Sequence, residues 1–288
     1  MKPNKSVLIT DLDNTLFDWF NIWYKSFKPM FDKVLEISEV DSAALIAEIK
    51  AVHQEHGTAE YAFLLESIPV LQAKYGTSEA IRKAMTPAIE AFREARVSTL
   101  KLYPTVESTL QAIKESGALV VVYTESKSYY SSYRINKLGL DKYIDYLFTP
   151  PDHKLPDDKY KSSFNFQNVI QHVTPEGELK PNPQLLKDII ENVGSSISDC
   201  VYIGDSEMKD IEMAQKAGVD DVFAKYGTEH FNDDEEAYNL LRSVTHWTDQ
   251  DVAREKEIKE SSSGAKASIE VNTFSEIMEH YNFVKFKG

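Results

Sequence analysis

Residues 7–19 read VLITDLDNTLFDW: four apolar or β-branched residues run straight into Asp11 and Asp13, with one leucine between them. A short apolar run of this kind reads as a strand buried on both faces. The two-residue step places both carboxyl groups on the same side of the chain. Buried like charges repel, so a strand that ends this way implies a compensating cation at its carboxyl end.

Working outward, the chain from residue 105 repeats one phrase of amphipathic helix, glycine and short apolar strand. TVESTLQAIKESG, with Thr105 read as N-cap and Gly117 as stop, leads to ALVVVYT. KSYYSSYRINKLG closes at Gly139 and leads to YLFT at 146–149. NPQLLKDIIENVG closes at Gly194 and leads to CVYIG at 200–204, and EMKDIEMAQKAG closes at Gly218 before VDDVFAKYG. Helices and strands alternate, and the strands lack a period of two. The pattern predicts an α/β fold, a doubly wound parallel sheet of Rossmann type, with SVLIT as its fifth strand.

Residues 17–99 break the phrase and contain no strand pattern. Phe17, Phe20, Phe27, Phe31 and Val34 recur at helical spacing, and Pro29 predicts a kink or break. Asp41 and Gly57 bracket a second helix, and two further helical stretches are interrupted by Pro69 and Pro87. About four helices with short connections predict an all-helical domain of residues 17–99, inserted into an α/β core of residues 1–16 and 100–288. Residues 150–179 read as a long connection with three prolines in its first seven residues. The tail after 227 carries the acidic run NDDEEAY, a helix opened by Thr248, a flexible SSSG at 261–264 and a last helix capped by Thr273 with Glu276. There is no internal repeat.

Composition narrows the function classes. The 288 residues are 42% hydrophobic and carry a formal charge of -14, which argues against general affinity for nucleic acid or an anionic membrane surface. An anionic substrate would have to be held by a local site. Cys200 is the single cysteine, so a disulfide within the chain and a zinc–thiolate cluster are both excluded. MKPNKSVLIT is too short in apolar residues for a signal peptide, and no apolar run reaches membrane-spanning length, so the expected location is the cytoplasm. Assembly state is left open.

In open parallel sheets, ligands bind outside the carboxyl ends of the strands. The first strand ends at Asp11 and Asp13, VVVYT ends at Thr124, and CVYIGDS reaches Asp205, with Asp210 five residues further on the next helix. Lys180, in ELKPNPQLL, precedes the helix leading to that strand. Each feature alone is commonplace: DxD and GDS occur in turns, a threonine after a strand caps helices, and a lysine is usually solvated. Their joint position at one sheet edge gives them weight.

As an ordered set, DLDNT, Thr124, Lys180 in KPNP and GDSEMKD resemble the four motifs of the haloacid dehalogenase superfamily. The resemblance covers residues 5–16 and 100–226. The helical insert resembles, by position and character, the cap domain that this superfamily places between its first and second motifs. The 150–179 connection and the long tail depart from the pattern.

The chemistry of the residues agrees. Asp11, Asp205 and Asp210 gather negative charge where an anion would bind. Each uncompensated pair at about 4 Å costs on the order of 4 kcal/mol at an effective dielectric of 20. The available ligands are hard oxygens, which select magnesium over zinc or copper. Asp11 can attack phosphorus in line to give an aspartyl-phosphate, and Asp13 can protonate the leaving oxygen and later activate water. The resemblance implies the same roles, and adds the Asp13 backbone carbonyl as a magnesium ligand beside Asp11, with Asp205 and Asp210 holding the ion directly or through water. Thr124 and nearby amides can grip phosphoryl oxygens, and Lys180 neutralises nucleophile and phosphate.

The expected function is therefore a magnesium-dependent phosphatase acting on a small phosphorylated metabolite. A phosphomutase and a nucleoside monophosphate 5'-nucleotidase share the residue set. A phosphonate hydrolase would need a cap lysine forming a Schiff base, and a dehalogenase is disfavoured because resembling dehalogenases lack the second aspartate. The non-enzyme alternative is a phospho-acceptor or regulatory module, which would accept one phosphoryl group and stop. Specificity candidates are His53, His56, Thr58 and Tyr61 around the HGT junction, and Asp152, His153 and Lys154 in the long connection, although helix ends, core packing and a covering loop explain these as well.

Overall fold

The computed structural model describes residues 1–153, 164, 166–231, 235–248 and 265–288. They fall into two compact units, one drawn from Met1–Asp18, Lys101–Glu229 and Ile258–Gly288, the other from Trp19–Leu100 and His230–Glu257.

The first unit is a parallel seven-stranded sheet. Its strands are β1 (Val7–Thr10), β2 (Leu119–Tyr123), β3 (Tyr146–Thr149), β4 (Ile170–Val173), β5 (Cys200–Gly204), β6 (Asp220–Ala224) and β7 (Ile269–Val271), in the spatial order β4-β3-β2-β1-β5-β6-β7. β1 is central, with Val7 opposite Leu119 on one side and Cys200 on the other, and Thr10 opposite Val122 and Ile203. Every residue of β1 and β5 is buried, as their unbroken apolar sequence requires. Leu185, Leu186, Ile189 and Ile190 of helix Pro183–Asn192, with Met213, Ala214 and Ala217 of helix Glu212–Ala217, pack against Val7, Ile9, Val121 and Tyr202. The central position of β1 puts the ends of β1, β2 and β5 side by side where the strand order reverses.

Two strands lie where the sequence shows none. β4 falls within the expected 150–179 connection; its residues IQHV are mostly exposed, with Ile170 and Val173 facing solvent on an edge strand. β7 has only three residues. The expected last helix is a 3-10 turn, Phe274–Glu276, and a single helical turn, Ile277–His280. Thr273 caps neither with its side chain; its hydroxyl lies 3.2 Å from Glu276 Oε1. Thr105 occupies the N-cap position of helix Val106–Glu115 in left-handed backbone (φ 70°), and its Oγ1 accepts from the Ser275 amide rather than from its own helix. Lys154, the segment following Thr248 and SSSG lie outside the described residues.

The second unit is all helical. Helix Trp19–Ser38 runs through Pro29 without a break, while Pro69 and Pro87 stand in the first turns of helices Pro69–Tyr75 and Thr86–Thr99, where a missing N–H costs nothing. Together with Ser42–His56, Leu64–Ser67 and Ser78–Ala84 this makes six segments between residues 19 and 99. Asp41 accepts from the Ala44 amide and Gly57 closes the same helix at φ 59°, as their sequence positions predict. Trp23 and Phe27 stack at 4.8 Å in a core with Phe31, Val34, Leu45, Ile49 and Ile68. Phe17 lies outside these helices, buried in the α/β unit.

One helix departs from the expected division at residue 100. Helix Glu235–Val244 belongs to the helical unit, because its apolar face of Ala237, Leu241 and Val244 is part of that core. His53 fixes it: the ring Nδ1 lies 2.6 Å from the Val244 carbonyl. Among the described residues no helix is long and apolar enough to cross a membrane.

Candidate active site

Asp11 follows β1 directly, and its amide still donates to the Ile203 carbonyl of β5 at 2.9 Å. The ladder thus holds the first carboxylate rigidly at the strand end. Beyond it the chain turns at Asn14, in left-handed backbone (φ 56°) that asparagine tolerates better than most residues. Thr15 then points its hydroxyl toward Asp205, 3.4 Å from Oδ1.

Lys180 is the cation of the cluster. It is 4% exposed, and its Nζ donates to Asp11 Oδ1 at 2.6 Å and to Asp210 Oδ1 at 2.8 Å. The rings of Tyr123 and Tyr202 face the ammonium at 4.9 and 5.6 Å. Its own amide donates to Glu125 Oε1, and Glu125 also pairs with Lys209 at 3.3 Å. Two residues on, Asn182 accepts from the amides of Gln184 and Leu185 and starts helix Pro183–Asn192. Burial favours loss of the ammonium proton, but the facing Asp11 and Asp210 carboxylates outweigh it and hold Lys180 well above the usual lysine range.

Asp210 stands on a π-helical turn, Glu207–Ile211, that opens helix Glu212–Ala217. Tyr202 donates to its Oδ1 at 2.7 Å and the Ser206 amide to Oδ2 at 3.1 Å. It folds tightly over the end of β5: a Cβ at Gly204 would sit 2.4 Å from the Asp210 Cγ. Gly227 has the same role on the other flank, where a Cβ would meet the Asn14 carbonyl at 2.1 Å and Asp205 Cβ at 2.8 Å.

Asp11, Asp205 and Asp210 each offer a carboxylate oxygen within 4.8 Å of the others. One lysine does not balance three carboxylates. Burial and then the facing carboxylate of Asp210 push Asp11 up to about 7 against the pull of Lys180, and Asp205 is raised well above the usual range by burial, Asp11 and Asp210. A hard divalent cation among the three oxygens would remove that strain, and the donor set fits magnesium.

Asp13 lies just outside this cluster. Its Oδ1 accepts from Arg134 Nη1 at 3.2 Å. Thr124 is buried at the end of β2; its Oγ1 accepts from the Ser126 amide at 3.0 Å, and the Ser126 hydroxyl accepts from the same Arg134 Nη1 at 2.9 Å. The structure therefore links Asp11, Lys180 and Asp210 by ion pairs, brings an Asp205 carboxylate oxygen within 4.8 Å of those of both aspartates, and connects Asp13 with the Thr124 loop through Arg134. Sequence reading did not single out Arg134, Glu125, Tyr202, Gly204 or Thr15. Only Gly204 carried a signal, as a glycine at a strand end.

The specificity candidates have other partners. His53 is buried in the helical unit against the Val244 carbonyl, and burial lowers its imidazole to about 4. The rings of His56 and Tyr61 stack at 3.6 Å, and Thr58 Oγ1 accepts from the Glu60 amide. Asp152 accepts from the Tyr129 amide at the start of helix Ser128–Lys137, and His153 stacks on Tyr130.

With the carboxylate cluster, its lysine and the sheet edge in place, one comparison decides the family: a model of haloacid dehalogenase-like hydrolases matches residues 5–218. The chain belongs to that family. Among curated relatives of this haloacid dehalogenase-like hydrolase, the glyceraldehyde 3-phosphate phosphatase of Methanopyrus kandleri is 24% identical over 220 residues, covering 75% of this chain and 81% of the relative. Two solved structures share the fold. The 2-haloacid dehalogenase of Pseudomonas syringae pv. Tomato aligns with a TM-score of 0.51 at 16% identity, over 96% of this chain and 97% of its own. The HAD-hydrolase YfnB of Bacillus subtilis, solved bound to magnesium, aligns with a TM-score of 0.50 at 12% identity, over 96% and 98%.

Proposed function

We propose that this haloacid dehalogenase-like hydrolase is a magnesium-dependent phosphomonoesterase that works through an Asp11 aspartyl-phosphate on a small phosphorylated metabolite. The observation that carries the reading is Asp11 itself, fixed by the sheet ladder, held by Lys180 at 2.6 Å and flanked by two further carboxylates. The name of the Methanopyrus kandleri relative supports a phosphate ester as substrate and makes a three-carbon sugar phosphate the first to test.

Asp11 attacks phosphorus, forming an O–P bond as the bond to the leaving oxygen breaks, and Asp13 gives that oxygen its proton. Asp13, now a carboxylate, takes a proton from water as the water oxygen attacks phosphorus. The Asp11 O–P bond breaks, returning the Asp11 carboxylate and inorganic phosphate. Lys180 offsets the charge that the phosphoryl group brings to Asp11, and the Thr124 hydroxyl and adjacent amides hold its oxygens. Asp11, Asp205, Asp210 and the Asp13 carbonyl would hold magnesium, which would supply positive charge to offset that of the phosphoryl group. The presence of Asp13 separates this reading from dehalogenation.

The test is a panel of phosphorylated metabolites, with and without magnesium, read as released phosphate. Continuous magnesium-dependent release supports the reading. Release that stops at one equivalent per chain would indicate a phospho-acceptor module.

A further inference from the structure

Arg134 is a buried arginine, 4% exposed, on helix Ser128–Lys137, with its guanidinium 5.5 Å from the Phe17 ring. A buried guanidinium needs a reason, since it keeps its charge and loses water. Its guanidinium pairs with Asp13 rather than with the Asp11, Asp205 and Asp210 carboxylates. One nitrogen with two N–H groups serves two loops: Nη1 donates to Asp13 Oδ1 at 3.2 Å and to Ser126 Oγ at 2.9 Å, and the Ser126 amide in turn donates to Thr124 Oγ1 at 3.0 Å.

We propose that Arg134 is a positioning residue for proton transfer: it aims the Asp13 carboxyl at the leaving oxygen and ties it to the loop that grips the phosphoryl group. This rests on the phosphatase reading above. An arginine suits the task because it has only donors and does not surrender a proton, so it holds Asp13 without competing for the proton in transfer. A lysine in its place offers a point charge rather than a planar fork, and restores only part of the geometry.

The test exploits the leaving group. p-Nitrophenolate departs with little help from an acid, whereas phenolate needs a proton, and general acid assistance is worth about 10²–10⁴-fold. Single-turnover rates are measured with magnesium for p-nitrophenyl phosphate and phenyl phosphate, in the parent, Arg134→Gln and Arg134→Lys. The proposal expects Arg134→Gln to release p-nitrophenolate within about 3-fold of the parent but to slow on phenyl phosphate by about 30-fold or more, with Arg134→Lys between. Equal slowing of both esters, or of neither, would overturn it. Thermal unfolding of Asp13→Asn, Arg134→Gln and the double variant is a second readout. Non-additive effects support the pairing and additive effects overturn it. A parent that turns over neither ester removes the phosphatase reading and this proposal with it, whereas an active parent with an indifferent Arg134→Gln removes this proposal alone.

Discussion

Lys180 Nζ lies 2.6 Å from Asp11 Oδ1 although 169 residues separate them in the chain. That contact sets one fixed cation against a repulsive set of carboxylates. Replacing Lys180 by methionine leaves Asp11 and Asp210 without their shared donor. The expected outcome is a fall in kcat/KM of about 10²–10³-fold, read as phosphate release. Thermal unfolding in EDTA should also show destabilisation of about 3 kcal/mol, the scale for removing one partner of a buried pair.

The unbalanced carboxylates predict an unusual pH dependence for the metal-free protein. Asp11 is raised from 3.8 to about 7 by burial first, so the folded chain holds its proton where the unfolded chain has lost it. Stability from this group is therefore fully present below pH 4 and is lost as pH rises toward 7, a change of up to about 4 kcal/mol. Asp205, raised for the same reason, acts in the same direction. In EDTA, the unfolding temperature of the parent should fall on going from pH 6 to pH 8 relative to that of Asp205→Asn. Magnesium at 100 times its dissociation constant should restore about 2.7 kcal/mol.

His53 predicts the opposite slope, from the helical unit. Its imidazole is lowered from 6.5 to about 4 by burial, which outweighs the opposing hydrogen bond to the Val244 carbonyl, so the folded state resists protonation. Stability is fully present above pH 6.5 and falls as pH drops toward 4, by up to about 3 kcal/mol. Differential scanning calorimetry at pH 5 and pH 7.5 should show a smaller difference for His53→Asn than for the parent.

Gly204 predicts that a single methyl group disarms the site. Its Cβ would land 2.4 Å from Asp210 Cγ, so Gly204→Ala must push Asp210 out of its bonds to Lys180 and Tyr202. Activity should drop about 10- to 100-fold, the thermal shift on adding magnesium should vanish, and overpacking should lower stability by about 1–3 kcal/mol.

The sheet and its carboxyl edge were legible in the sequence where burial on both faces forces an unbroken apolar run, as in VLIT, LVVVY and CVYIG. β4 was not, because an exposed edge strand such as IQHV carries no such demand, and β7 is too short for any pattern. Of the kink or break expected at Pro29, the break does not occur: helix Trp19–Ser38 runs through it. Helix Glu235–Val244 looked like part of the core because position in the chain does not reveal which apolar face a helix joins. The acidic residues and Lys180 were legible because charge at a strand end is conspicuous. Arg134 and Tyr202 were not, since an arginine in an amphipathic helix and a tyrosine in a buried strand are ordinary until their partners are seen.

The most direct measurement is magnesium-dependent hydrolysis of p-nitrophenyl phosphate by the parent and by Asp11→Asn, which differ at one side-chain atom. The account predicts that Asp11→Asn loses at least about 10³-fold in kcat while remaining folded, because the nucleophile is gone. An Asp11→Asn protein that hydrolyses the ester at the parent rate would contradict it.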